Sequence, residues 1–432
     1  MKTVFLIMFL MLVSLGKAQL YFPPMSGSTW ETLAPQELNW CQNKIDSLYQ
    51  YLEAQNTKAF LVLKDGKIVL EQYFNGHSQA ASWYWASAGK TLTAFLVGIA
   101  QQEGLLNIEN PTSMYLGPGW TSCSTAQEDA ISVRHQLMMT SGLDDGVVNV
   151  SCTTPSCLQY LAPAGTRWAY HNAPYTLLDQ VISNATGVTL NQYVNQKVKT
   201  PTGMTGSFIA LGDDMVFFST ARSMARFGLM ALNNGNWNGT QIMTDVDYFN
   251  QMVNTSQSLN KSYGYLWWLN GKPNFMVPGS QLILPGSIMP NAPDDMFSGL
   301  GKDGQFLNVV PSQNLVLIRM GEEPNGSLVP FLLNDKIWEY MNALNCGSSS
   351  ITTSESTSIT VYPNPSEDFV TILGVPIHAR VCVTDATGRW IKDLNVKSGK
   401  AVLYRDDFYA GTYFVHVLEV NKSTTIKRVV LR

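Results

Sequence analysis

The spacing of apolar residues over 36–54 predicts an amphipathic helix. The period then shortens to two in "KAFLVLKDGKIVLEQYF" (58–74), which predicts a hairpin turning at Asp65-Gly66. A second helix begins within "ASAGKTLTAF" (86–95), just after the aromatic run Trp83-Tyr84-Trp85, and stops near Gly104. Residues 105–250 read as helix-rich and loop-rich. Strand patterns return at "YGYLWW" (263–268), "GQFLNVV" (304–310) and "NLVLIRM" (314–320), ahead of a final helix at about 328–344. Strands first and last with helices between predict an α/β (α+β) fold: an antiparallel sheet flanked by terminal helices, beside a helical subdomain.

Residues 347–358, "GSSSITTSESTS", are nearly all small and polar, so they read as a linker. Beyond them, "ITVYPNP", "DFVTILGV", "ARVCVTDATGRWIKDL", "GTYFVHVLEV" and "STTIKRVVLR" alternate apolar and polar positions between turns. That pattern predicts a small all-β sandwich of about seven strands over 359–432.

The first residues change the picture. A charged start, an apolar run from Val4 to Val13 and small residues at Gly16 and Ala18 read as a secretory signal peptide over 1–18. The expected organisation is therefore signal peptide, a large mixed domain over 19–346, linker and sandwich. Net charge is −4, two units more negative once Lys2 and Lys17 depart, and no basic block stands out. Nucleic acid is not an expected partner. The five histidines form no His-x-x-x-His pair and the cysteine spacings fit no zinc pattern, so no metal and no cofactor is expected.

Export permits disulfides, and there are six cysteines. If the terminal helices pack antiparallel, Cys41 approaches Cys346. Cys152 and Cys157 share one loop and form the second candidate pair. Cys123 and Cys382 are left free, with Cys382 expected as an apolar core residue of its strand.

Candidate chemistry lies at Ser87 and Lys90, three residues apart and so on one helix face. A lysine desolvated beside a serine can help deprotonate it. Serine is also an ordinary helix cap, and Ser-x-x-Lys recurs at Ser14/Lys17 and Ser258/Lys261, where the setting gives it no role. Tyr-x-Asn occurs six times, but only Tyr170-His171-Asn172 sits in a loop leading into an apolar helix. Lys-Asp-Gly occurs twice: Lys64-Asp65-Gly66 is the hairpin turn, whereas Lys302-Asp303-Gly304 follows a glycine-rich approach. Such glycines let another backbone or a substrate come close.

In their order, Ser87-x-x-Lys90, "ISVRHQLMMTSGLDDG" (131–146), Tyr170-His171-Asn172 and Lys302-Asp303-Gly304 resemble the serine β-lactamase and penicillin-binding superfamily. Over about 40–345 the chain is similar to class C β-lactamases, DD-peptidases, related esterases and the 6-aminohexanoate-dimer hydrolases. The resemblance implies Ser87 as the acylated nucleophile, Lys90 assisting its deprotonation, and Tyr170 as general base or acid with a phenol pKa lowered by nearby lysines. It implies that Asn172 orients Lys90 and the substrate, and that Lys302 binds the substrate's anionic group or tunes Tyr170. The backbone N–H groups of Ser87 and Gln305 are the expected oxyanion hole. Two residues depart from the pattern. Asp303 replaces a hydroxyl residue and should repel the acidic group of penicillins, and His171 replaces a serine and is expected to pack in the interior.

These features predict an exported serine hydrolase cleaving an ester or amide of a small molecule or peptide. A true class C-type β-lactamase or DD-peptidase, or an inactive homologue that binds peptidoglycan or β-lactams, are the alternatives. No Gly-x-Ser-x-Gly is present for a conventional Ser-His-Asp hydrolase. "VYPNPSEDFVTI", "VTDATGRWI", "AGTYFVHV" and the basic ending resemble a type IX secretion C-terminal sorting domain. That implies the type IX machinery as partner of 359–432, and a secreted or surface-attached enzyme of a Gram-negative bacterium, reached through the periplasm.

Overall fold

The computed structural model describes residues 20–322, 329–346, 359–376, 379–386, 389–418 and 425–432. The expected signal peptide and the expected linker lie outside them. The chain divides into two compact units, Met1–Cys346 and Gly347–Arg432.

In chain order the first unit contains α1 (Gln42–Ala54), β1 (Thr57–Lys64), β2 (Lys67–Tyr73), β3 (Trp83–Tyr84) and α2 (Lys90–Gln102). After several short helices come α3 (Leu178–Thr186), β4 (Ser207–Leu211), β5 (Asp214–Ser219) and α4 (Ala221–Leu232). The last elements are β6 (Trp268–Leu269), β7 (Phe297–Gly301), β8 (Gln305–Val310), β9 (Leu315–Gly321) and α5 (Phe331–Asn342). One antiparallel sheet runs β2-β1-β9-β8-β7-β6. The strands formed first and last in the sequence are thus neighbours, with Thr57 opposite Gly321 and Lys64 opposite Leu315.

The inner strands are buried on both faces, which explains why β9 reads as a continuous apolar run rather than an alternation. The terminal helices meet as expected: Tyr51 of α1 stacks on Tyr340 of α5 at 4.8 Å. Trp40 bridges Asn345 in antiparallel register, so the start of one helix lies at the end of the other.

That packing closes the Cys41–Cys346 disulfide, with Cα atoms 5.0 Å apart across 305 residues of sequence. Cys152 and Cys157 form the second bridge, and Cys123 and Cys382 are free. In the chain-entropy account a loop of that length stabilises by about 5 kcal/mol. Converting Cys41 and Cys346 together to serine should therefore lower the melting temperature by about 5–10 °C in calorimetry. An unchanged transition would show that the two terminal helices hold without the bridge.

Two features differ from the sequence reading. Region 105–250 is not simply helical, because β4 and β5 form a hairpin that pairs with β3. Their alternation is partly masked: Ile209 and Leu211 are apolar yet exposed. "YGYLWW" supplies only the two-residue β6, since Tyr263 to Trp267 are buried all round in a loop.

The described residues of the second unit form seven strands: β10 (Thr360–Tyr362), β11 (Phe369–Leu373), β12 (Arg380–Asp385), β13 (Trp390–Leu394), β14 (Lys400–Tyr404), β15 (Gly411–Leu418) and β16 (Thr425–Leu431). They form two antiparallel sheets, β10-β11-β14 and β13-β12-β15-β16. The unit has its own apolar core, built from residues such as Val370, Ile372, Leu403 and Val415. Cys382 does not belong to it. On β12 its neighbours Val381 and Val383 point inward, so strand alternation turns Cys382 to the other face, where it is half-buried.

Candidate active site

The peptide before Ser87 is fixed by its aromatic neighbour. Trp85 is wholly buried, its N–H donates to Phe217 O at 2.8 Å and its indole Nε1 donates to Ser219 Oγ at 2.8 Å. Ala86 then takes a left-handed φ of 45°, a conformation that costs a non-glycine residue about 1–3 kcal/mol. A 3-10 turn, Ala86–Gly89, carries Ser87 and runs directly into α2. This strained corner projects Ser87 from the buried interior into a cavity of about 470 Å³. Ser87, Lys90, Tyr170, Asn172, Lys302 and Asp303 all line that cavity.

Lys90, the first residue of α2, is 4 % exposed on a helix buried on every side through Ala100. Its Nζ lies 3.8 Å from the ring centroid of Tyr175 and 5.5 Å from that of Tyr170. Burial drives its pKa down to about 8, against the upward pull of Asp214 and Asp179. Near neutral pH a usable fraction of this lysine is therefore the free amine.

Tyr170 is set by an aromatic cage. It stacks on Trp268 at 5.6 Å and meets Tyr263 edge-on at 6.3 Å. Its phenol neighbours the Ser87 side chain in the same cavity, a contact that favours ionisation. Contrary to the sequence expectation, the phenol is not acidified. Burial pushes its pKa well above the ordinary tyrosine value, and Asp214 adds to that, outweighing the Ser87 contact. Tyr170 is therefore a protonated donor at neutral pH.

His171 is 2 % exposed with both ring nitrogens unpartnered among the described residues, and burial lowers its pKa to about 4. It is a neutral interior residue, as its sequence context suggested. Asn172 opens a short helix, and its Nδ2 donates to Ser151 Oγ at 3.4 Å. Its Oδ1 is buried without a partner among the described residues.

Lys302-Asp303-Gly304 is the tip of the β7–β8 hairpin rather than part of a strand. Lys302 is exposed, while Asp303 adopts φ 61° and accepts a hydrogen bond on Oδ2 from Tyr84 Oη. Gly304 is required: a Cβ there would lie 2.0 Å from Arg319 Nη1, whose guanidinium donates to Gly304 O at 2.7 Å. The side-chain amide of Gln305 exchanges hydrogen bonds with the backbone of Gly321. The strand that meets Ser87 is β7. A Cβ at Gly301 would sit 2.6 Å from Trp85 O and 3.1 Å from Ser87 N, and one at Gly299 would sit 3.1 Å from Ala88 O. The glycines of "FSGLG" thus permit close approach of strand to nucleophile, one strand earlier than the motif match indicated.

Sequence reasoning missed Tyr84, Tyr175, Asp179 and Asp214. Asp214 accepts from Ser151 Oγ and Thr176 Oγ1, each at 2.8 Å. Asp179 is 7 % exposed with neither carboxylate oxygen partnered among the described residues, and burial raises its pKa far above the usual range. A charged residue amid "YTLLDQVI" was the available signal.

A half-buried serine before a helix, a buried lysine at its start and a half-buried loop tyrosine, all lining one cavity beside an antiparallel sheet, can be placed among known proteins. Residues 50–327 match the Beta-lactamase family. The chain belongs to that family. Beta-lactamase-fold proteins are serine hydrolases that include esterases and amide hydrolases. An uncharacterized protein of Alkalihalophilus pseudofirmus is 26 % identical over 295 residues, 60 % of this chain and 81 % of that protein. A Bacillus anthracis structure described as a "Putative 6-aminohexanoate-dimer hydrolase" superposes with a TM-score of 0.55 at 20 % identity, covering 74 % of this chain and 89 % of the other. A family VIII carboxylesterase gives a TM-score of 0.52 at 15 % identity, covering 71 % and 98 %. At such identities these structures share the fold. In the second unit, residues 360–432 match the Secretion system C-terminal sorting domain. Among the described residues of this beta-lactamase-family protein, no helix is long and apolar enough to cross a membrane.

Proposed function

We propose that this protein hydrolyses an ester or amide through an acyl-enzyme on Ser87. The observation that carries this reading is Lys90: an amine with its pKa near 8, buried one helical turn from Ser87 in a cavity that Tyr170 also lines. Neutral Lys90 takes the proton as Ser87 Oγ attacks the carbonyl. Tyr170, kept protonated, donates its hydrogen bond to the reacting oxygens and hands a proton to the leaving group, recovering one from the Lys90 ammonium. Water then attacks the acyl-enzyme, the neutral Lys90 amine taking its proton and returning one to Ser87 Oγ as the acid departs. The N–H of Ser87 is one oxyanion donor. The second is assigned to the Gly301–Lys302 end of β7, in place of Gln305, because that backbone lies against Ser87. The carboxylesterase and amide-hydrolase names among the structural neighbours agree with this class of substrate. Asp303 argues against penicillins, whose carboxylate it would repel. Covalent labelling of Ser87 by a fluorophosphonate, read by intact mass, tests the reading. Absence of any adduct would leave a binding homologue instead.

The sorting domain belongs to the same proposal. A signal peptide over 1–18 delivers the protein to the periplasm, and residues 359–432 address it to the type IX machinery for release or surface attachment. Cleavage near the serine-rich 347–358 segment then leaves the hydrolase. The two units have separate apolar cores, so residues 19–350 expressed alone should fold and retain full activity. Deleting 359–432 in the native host should trap active enzyme in the periplasm. A surface protein still ending in Arg432, or a deletion that still reaches the surface, would make the sandwich a binding module.

A further inference from the structure

The placement of charges around the Ser87 cavity bears on its substrate. Three carboxylates line it, Asp145, Asp214 and Asp303. Asp145 is answered by Arg167 at 2.6 Å. The other two have no lysine or arginine at ion-pair distance among the described residues. Asp214 is held by the neutral hydroxyls of Ser151 and Thr176. Asp303 is held by the hydroxyl of Tyr84 on one oxygen, and its second oxygen has no hydrogen-bond donor among the described residues. Burial and Asp303 raise the Tyr84 pKa, so this tyrosine remains a neutral donor and does not cancel the charge. Of the lining cations, Lys90 is buried and interacts with Asp214, and Lys302 is exposed at the hairpin tip, which leaves Asp303 as the carboxylate without a buried cationic partner side chain among the described residues. Tyr84 and Tyr170 add aromatic faces to the same cavity.

We infer that the site prefers acyl groups bearing a positive charge, a protonated or quaternary amine, over neutral or carboxylate-bearing ones. Asp303 is the principal specificity residue. The inference rests on the proposed acyl-enzyme reading, since it names the substrate class of that site. A left-handed backbone at Asp303 and the Tyr84 hydrogen bond fix the carboxylate in place before substrate arrives, so little ordering is required on binding. An ammonium entering there meets the carboxylate and the face of an aromatic ring together. A carboxylate-bearing acyl group meets repulsion from both Asp303 and Asp214.

The full-length protein is tested with three p-nitrophenyl esters of equal acyl length, ending in a trimethylammonium, a tert-butyl or a carboxylate group. The first two have the same shape and differ in charge. The cationic ester should exceed the neutral one by about 10-fold in kcat/KM at low salt, and the anionic ester should be slowest. Asp303→Asn should compress the cationic-to-neutral ratio to about 2-fold, and Lys302→Ala should widen it, each ratio being read within one variant. Equal turnover of the cationic and neutral esters, or a ratio untouched by Asp303→Asn, overturns the inference while leaving the hydrolase intact. Failure of all three esters together with absence of fluorophosphonate labelling overturns the acyl-enzyme reading itself.

Discussion

Alanine at position 87 should abolish both ester hydrolysis and covalent labelling, with a loss of at least about 10⁴-fold, because no other group in the cavity supplies the attacking oxygen. The fold should survive, since Ser87 occupies a turn that Trp85 and Ala86 already position. Tyr170→Phe isolates the next step. It preserves the stacking on Trp268 and removes the hydroxyl that meets Ser87, so turnover should fall by roughly 10²-fold or more with unchanged melting. Ser258→Ala, at the serine of a matching but exposed Ser-x-x-Lys, should change nothing. Hydrolysis undiminished in Ser87→Ala would end the mechanism.

The pH dependence should carry the signature of Lys90. The reactive form is the free amine, and burial places its pKa near 8. For kcat/KM, which reports the free enzyme, activity should rise about tenfold per pH unit below that value and level off above it. The phenol of Tyr170 is pushed upward and stays protonated throughout this range, so it should add no second limb near neutrality. His171, lowered to about 4, is already neutral there. Lys90→Ala should cost about 10²–10⁴-fold in turnover and remove the rise near pH 8. A wild-type profile with its midpoint near 6 or lower, unshifted in Lys90→Ala, would assign the base elsewhere.

Much of this was legible in the chain itself. The first helix, expected over 36–54 and formed over 42–54 after a separate 3-10 turn, the hairpin at Asp65-Gly66 and the strands of the terminal unit follow from local periodicity and turn residues. Ser87, Lys90 and Tyr170 stood out from their decoys by their apolar settings and by the order of the motifs, and the fold brings all three to one cavity. The Cys41–Cys346 pair followed once the terminal helices were taken as antiparallel neighbours.

Tertiary structure decided what depends on distant neighbours. The protonation of Tyr170 turns on the Trp268 and Tyr263 rings packed around it, contributed from almost a hundred positions away in the chain, and no local pattern reports that desolvation. The strand beside the nucleophile is "FSGLG" and not the Lys-Asp-Gly that follows it, because the hairpin reverses between them and places the tripeptide at its tip. Asp214 and Asp303 acquired meaning only when β5 and the β7–β8 tip were brought to one cavity with Ser87. Short-range order is written in spacing. The electrostatics of the site belongs to whatever the fold packs around each charge.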